Sequence, residues 1–157
     1  MIKDDTFQKT ETILRNYNGI KKSLSLLNDK LRDLKKEQMK LKPIIVKSDK
    51  VVLKEADKNY YYTDETLNND INELTQLIIK TKAEINFIDQ CLLSISDDKY
   101  YRIIDLWYFK GRQQGYTREK IAEIFDCDPD TITRNRIRLV HELKFLLFPK
   151  KSLSELI

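Results

Sequence analysis

Glycine and proline are scarce in this chain, with three of each among 157 residues. A many-turned β-fold needs more turn residues than that, so the scarcity argues against one and favours a few long helices. Cysteine occurs twice, at Cys91 and Cys127, in separate segments, and histidine once, at His141. No metal-ligand spacing can be assembled from them, so no zinc site is expected and both cysteines read as reduced, half-buried apolar residues. No stretch approaches the roughly 20 apolar residues of a membrane span, and the opening MIKDDTFQKT lacks the apolar core of a signal peptide. The expectation is a cytoplasmic chain without a membrane partner. Also missing are a glycine-rich phosphate loop and any nucleophile, histidine and acid set that one histidine serves. The chain is therefore expected not to be an enzyme, and to need no cofactor.

What is present in quantity is charge, at 34% of residues, balanced to a net +4. That excess is too mild to decide for or against nucleic acid by itself, so its distribution matters. From Thr131 to His141 there are three arginines and no acid.

Two apolar seams organise the first two thirds. Ile13, Tyr17, Ile20, Leu24, Leu27, Leu31 and Leu34 recur in alternating steps of four and three, meet Gln38, resume at Leu41 and stop at Lys42-Pro43, where proline forbids continuation. Leu67, Ile71, Leu74, Ile78, Thr81, Ile85, Ile88, Leu92 and Ile95 repeat the pattern. A 3.5-residue period predicts coiled-coil packing, either as an antiparallel pair within one chain or between two copies in a homodimer. Between the seams, residues 43–63 read as a loop or short hairpin around Ser48-Asp49-Lys50, with Tyr60, Tyr61 and Tyr62 as packing residues more readily than a base-stacking platform.

The last third, 96–157, reads as a separate helical domain after a 1–95 coiled-coil module. Ser96 with Asp97-Asp98 is expected to cap a helix carrying Tyr100, Ile103, Ile104, Trp107 and Tyr108, with Trp107 as a core anchor. Gly111 should stop that helix and Gly115 supply a second flexible point. Thr117 then caps a short helix over Arg118–Phe125. Asp126 stands where a turn glycine is usual, and Asp128 with Pro129 opens the next helix. Ala122 and Ile132, ten apart, suit two closely crossed helices of a helix-turn-helix.

On the second of these helices Ile132, Leu139, Val140, Leu143, Leu146 and Leu147 share one stripe, and Asp130, Arg134, Arg138 and His141 the other. N-terminal residues of a recognition helix reach base edges, which nominates Asp130, Thr133 and Arg134, while Arg118, Lys120 and Arg138 suit phosphate. Arg136 falls in the apolar stripe. It is expected to be structural, paired with a carboxylate such as Glu123 or Asp105.

From Tyr100 onward, YYRIIDLWYFKGRQQGYTREKIAEIFDCDPDTITRNRIRLVHEL resembles region four of bacterial sigma factors. IIDLWYF, IAEIF and TITRNRIRLVHEL are similar, in order and spacing, to the C-terminal part of phage late-transcription regulators of the RinA and ArpU type from Gram-positive hosts. Thr131, Ile132, Arg134, Arg136 and Arg138 carry that likeness, which adds Thr131 to the DNA-binding set. KTETILRNYNGIKKSLSLLNDKL is similar to the group's helical lead-in by pattern. Asp128-Pro129-Asp130 departs from the group's serine-rich helix start and turns acids toward approaching phosphate. The resemblance implies sequence-specific binding of double-stranded DNA at promoters alongside host RNA polymerase, and no catalysis. Two other classes remain open: a phage DNA-packaging or recombination accessory protein, and a coiled-coil adaptor that binds no DNA.

Overall fold

The computed structural model describes residues 5–40 and 64–154. Among the described residues every regular element is helical and none is a strand, as glycine and proline scarcity leads one to expect. The elements are α1 (Asp5–Lys40), α2 (Asp64–Ser94), α3 (Arg102–Ile104), a π-helical continuation (Asp105–Lys110), a 3₁₀ turn (Arg112–Gln114), α4 (Arg118–Phe125), α5 (Pro129–Leu147) and α6 (Pro149–Ser154). The hairpin expected over 43–63, its three tyrosines and Pro43 lie outside the described residues.

The chain divides into two compact units, one of Met1–Lys21 with Glu84–Ile157 and the other of Lys22–Ala83. This partition differs from the 1–95 and 96–157 division read from sequence, because both long helices run through the boundary. In the second unit Leu67, Ile71, Leu74 and Ile78 of α2 are buried, while Leu24, Leu27, Leu31 and Leu34 of α1 are half-buried. Four-three spacing turns these positions to one side of each helix. The Gln38 amide donates to Asn68 Oδ1, which joins the end of α1 to the start of α2 within one chain.

In the first unit two apolar clusters lie on either side of α3. One unites Leu14 and Tyr17 of α1, Ile88, Cys91 and Leu92 of α2, and Leu139, Val140 and Leu143 of α5 around Ile104 and Tyr108. The other joins Ile103 and Leu106 to Ile121, Ala122 and Ile132. Tyr100 and Trp107 pack against both. Trp107 is thus the core anchor expected of it. Burial raises the Cys91 thiol pKa, and both cysteines are free.

Several positions depart from expectation. Leu14, off the predicted seam, is fully buried, whereas Ile13 and Ile20 on it are half-buried. A straight helix drifts away from a 3.5-residue repeat, and α5 covers the side that Leu14 occupies. Thr6 and Thr10 are buried too, the Thr10 hydroxyl donating to the Thr6 carbonyl at 2.8 Å. Leu146 is exposed although it belongs to the predicted apolar stripe of α5.

The helix expected to start at Ser96 begins instead at Arg102. Ser96 Oγ donates backward to the Leu93 carbonyl (2.7 Å), and it is Asp98 Oδ1 that accepts from the Tyr100 amide (2.9 Å). At the other end, Gly111 takes φ 72°, its amide donating to the Leu106 carbonyl at 2.9 Å across a π turn. Gly115 has φ 87°. Both glycines therefore sit where a side chain is strained, as the sequence predicts.

Candidate nucleic-acid interface

Three local signals build the α4–α5 corner. Thr117, extended, accepts the Lys120 amide on its hydroxyl at 3.2 Å and so caps α4. Asp126 ends α4 in the left-handed region at φ 52° and ψ 55°, the one described non-glycine residue with positive φ. The following Cys127 amide donates to the Ala122 carbonyl at 3.0 Å. Asp128 is extended and holds the N-cap position of α5, with Pro129 first in the helix. Its side chain makes no capping bond, so the cap is a backbone one: the Asp128 carbonyl accepts from the Thr131 amide at 3.0 Å. Ala122 and Ile132 meet in the second cluster, both buried.

The first two turns of α5 leave their polar side open. Asp130 is 82% exposed, and Arg134 is exposed with no ion pair among the described residues. Thr133 is half-buried, donating to the Pro129 carbonyl (3.4 Å) and accepting from Arg118 Nη1 (3.2 Å). Arg118 also lies 3.7 Å from Asp130, tying α4 to the start of α5. Lys120 is 56% exposed, with Glu123 at 3.6 Å. Thr131 is half-buried, and its carbonyl accepts from the Asn135 amide at 2.8 Å.

Beyond Arg134 the expected free face is occupied. Arg138 meets Asp98 in a two-pronged pair, at 2.9 and 3.0 Å, and also reaches Glu142 at 3.1 Å. Hydrogen bonding to Arg138, aided by the Tyr100 amide, holds the Asp98 carboxyl below the ordinary carboxylate range against the opposing effect of burial. The forked donors of Arg138 are thus engaged by a carboxylate, which competes with the phosphate role expected from sequence. The His141 ring packs on Phe7, centroids 4.8 Å apart, so the start of α1 covers this part of α5.

Arg136 is structural, as its angle on the helix implies, but its partner is not Glu123 or Asp105. Nη1 donates to Glu11 Oε2 at 3.0 Å and to the Tyr108 hydroxyl at 2.9 Å. Tyr108 in turn donates to the same Glu11 oxygen at 2.7 Å. The guanidinium lies 4.6 Å from the Trp107 ring centroid, while Nε is buried without a partner. Both charged side chains are 15% exposed. Burial, with the Glu11 bond, pushes the Tyr108 hydroxyl pKa far above its usual range. Glu11, Asp98 and Tyr108 were not nominated from sequence, since each acts across 28 residues or more.

Among the described residues no group of three or more histidine, cysteine or acidic side chains is placed to hold a metal, and no helix is long and apolar enough to cross a membrane. No protein-family model, curated protein or solved structure matches the chain.

Proposed function

We propose that the chain is a non-enzymatic, sequence-specific DNA-binding transcription regulator whose α4–α5 corner is a helix-turn-helix and α5 its recognition helix. The supporting observation is selective: of the three alternating arginines, Arg136 and Arg138 are held by Glu11 and Asp98, and Arg134 alone has no ion pair among the described residues. It stands on the N-terminal turns, from which side chains reach base edges in the major groove. In this reading Arg134 reads guanine, Asp130 accepts from cytosine, Thr131 and Thr133 orient the helix start, and Arg118 and Lys120 meet phosphate. Promoter binding beside RNA polymerase follows from the sigma-like resemblance.

The test is selection of duplexes from a random pool by the full chain. A defined site should emerge, and Arg134→Ala should weaken binding to it by about 1–3 kcal/mol while blurring one base position. Lys120→Ala should weaken every duplex alike. Equal loss on selected and random duplexes for Arg134→Ala would reject base reading by that residue.

One observation favours a second reading, a protein-docking adaptor. Across 118–135 the exposed carboxylates of Glu119, Glu123, Asp126, Asp128 and Asp130 outnumber the cations Arg118, Lys120 and Arg134. Such a corner repels a phosphate backbone unless cations elsewhere hold the duplex. Salt dependence separates the two readings: a regulator loses affinity steeply as salt rises, and an adaptor has no such slope to lose.

A further inference from the structure

The cations missing from the α4–α5 corner are found just before it. Residues 99–117 carry Lys99, Arg102, Lys110 and Arg112 against the single carboxylate Asp105, and Arg118 adjoins them. Within the first unit, Arg15 of α1 joins Lys110, Arg112 and Arg118 around a cleft of about 690 Å³, which also exposes the amides of Gln113 and Gln114. That volume lies in the range of ligand sites. Among the described residues no carboxylate lines the cleft.

The ion pairs of this molecule fall into two classes by distance. Arg136 and Arg138 reach their carboxylates at 3.0 and 2.9 Å, as charge-assisted hydrogen bonds do. The cleft cations do not. Arg15 stands 3.5 Å from Glu11, Lys110 3.6 Å from Asp105, and Arg118 3.7 Å from Asp130 and 3.8 Å from Glu119. Glu11 is moreover already shared by Arg136 and Tyr108. Arg112 is exposed and has no ion pair among the described residues. Aromatic rings hold two of these cations in place: Arg15 lies 5.8 Å from the Tyr108 centroid and Lys110 5.7 Å from that of Tyr116. Four like charges converging on one concavity, each weakly neutralised, raise a positive field that an anion relieves.

We propose that this cleft is a phosphate-binding site, lined by Arg15, Lys110, Arg112 and Arg118, that takes phosphate groups presented by a duplex backbone or by a free polyphosphate ligand. Four dispersed cations with amide donors between them suit several phosphate oxygens at once, more than they suit a single carboxylate. Base reading by α5 is not required, so the site stands or falls separately from the recognition helix.

The experiment uses the full chain and two probes, a fluorescent random-sequence duplex and inorganic tripolyphosphate, with Arg112→Gln and Lys110→Gln compared with Arg134→Ala. Unchanged helical circular dichroism and thermal midpoint establish that the Arg112 variant folds, as its exposure predicts. If the duplex backbone is the source, each cleft variant raises the duplex Kd roughly tenfold and lowers the log–log salt slope by about one, and Arg112→Lys recovers both. Should duplex binding stay constant while tripolyphosphate affinity falls, the site stands with a free phosphate ligand as its occupant. Affinity for both probes unaltered in both variants overturns the site. A cleft that passes while selection yields no preferred sequence sinks the α5 reading alone.

Discussion

Arg136 shows what a single residue discloses and what it hides. Its 100° steps along α5 place it in the apolar stripe, so a structural role is legible from its neighbours in sequence. Its partner is not, because Glu11 lies 125 residues away and nothing local marks it. A guanidinium and a carboxylate each taken out of water are destabilising unless both stay bonded, so losing one partner leaves a stranded charge. Arg136→Met should therefore lower the unfolding free energy in urea by about 3 kcal/mol. The double variant Arg136→Met with Glu11→Leu should lose less than the two single losses added; strict additivity would deny the coupling. Asp98 yields a pH prediction by the same logic. Its folded carboxyl ionises at lower pH than the unfolded one, which titrates near about 3.9. Between those values the unfolded chain binds a proton that the native chain does not, so the Arg138 pair contributes fully above the window and is lost as pH falls through it. Thermal midpoints of the native chain and Asp98→Asn should differ by a constant amount above the range in which the unfolded carboxyl titrates, and converge as pH falls through the lower range of the folded one. A gap indifferent to pH would remove the pair from the stability balance.

At the level of elements, what reads well is backbone chemistry confined to a few neighbouring residues. The Thr117 cap, the left-handed Asp126 and the Pro129 start each follow from a property of one side chain, and all three occur where predicted. The α2 seam is equally readable, with Leu67 through Ile95 buried at the expected spacing apart from half-buried Thr81. The failures have a different origin. Ser96-Asp97-Asp98 looks like a helix start, yet Arg138 claims Asp98 from across the unit and the chain turns there instead. The π stretch Asp105–Lys110 is also invisible, since its 6 residues span little more than one turn, too few for a changed apolar period to show. Asp126 is the most informative position to change. Its left-handed backbone strains any residue with a Cβ, and a negative charge at the C-terminal end of α4 opposes the helix dipole. Asp126→Gly should raise stability by about 0.5 kcal/mol and Asp126→Val lower it by about 1–2 kcal/mol, read by urea unfolding. Destabilisation by glycine would show that the Asp126 side chain contributes a contact of its own.

For the molecule as a whole, the all-helical character was legible from composition, but the grouping of helices was not. The seams suggest that the first 95 residues form one module, because periodicity reports which face a helix buries and not what covers it. In the structure Leu14 and Tyr17 from α1 and Ile88, Cys91 and Leu92 from α2 complete the core beneath α5, and Glu11 neutralises Arg136. A fragment starting at Ser96 should consequently lack a cooperative unfolding transition, whereas 84–157 supplied with a 5–21 peptide should recover one, as followed by circular dichroism. Cooperative melting of the short fragment alone would restore the division at residue 95. The same composition of the first unit, two segments with 22–83 interposed, bears on how a ribosome delivers it. Residues 5–21 emerge before 84–154, which carry most of the groups they must nestle against. Leu14 and Tyr17 are therefore translated well before Ile88, Leu92 and Leu139, and they stay without those permanent neighbours until α5 has followed.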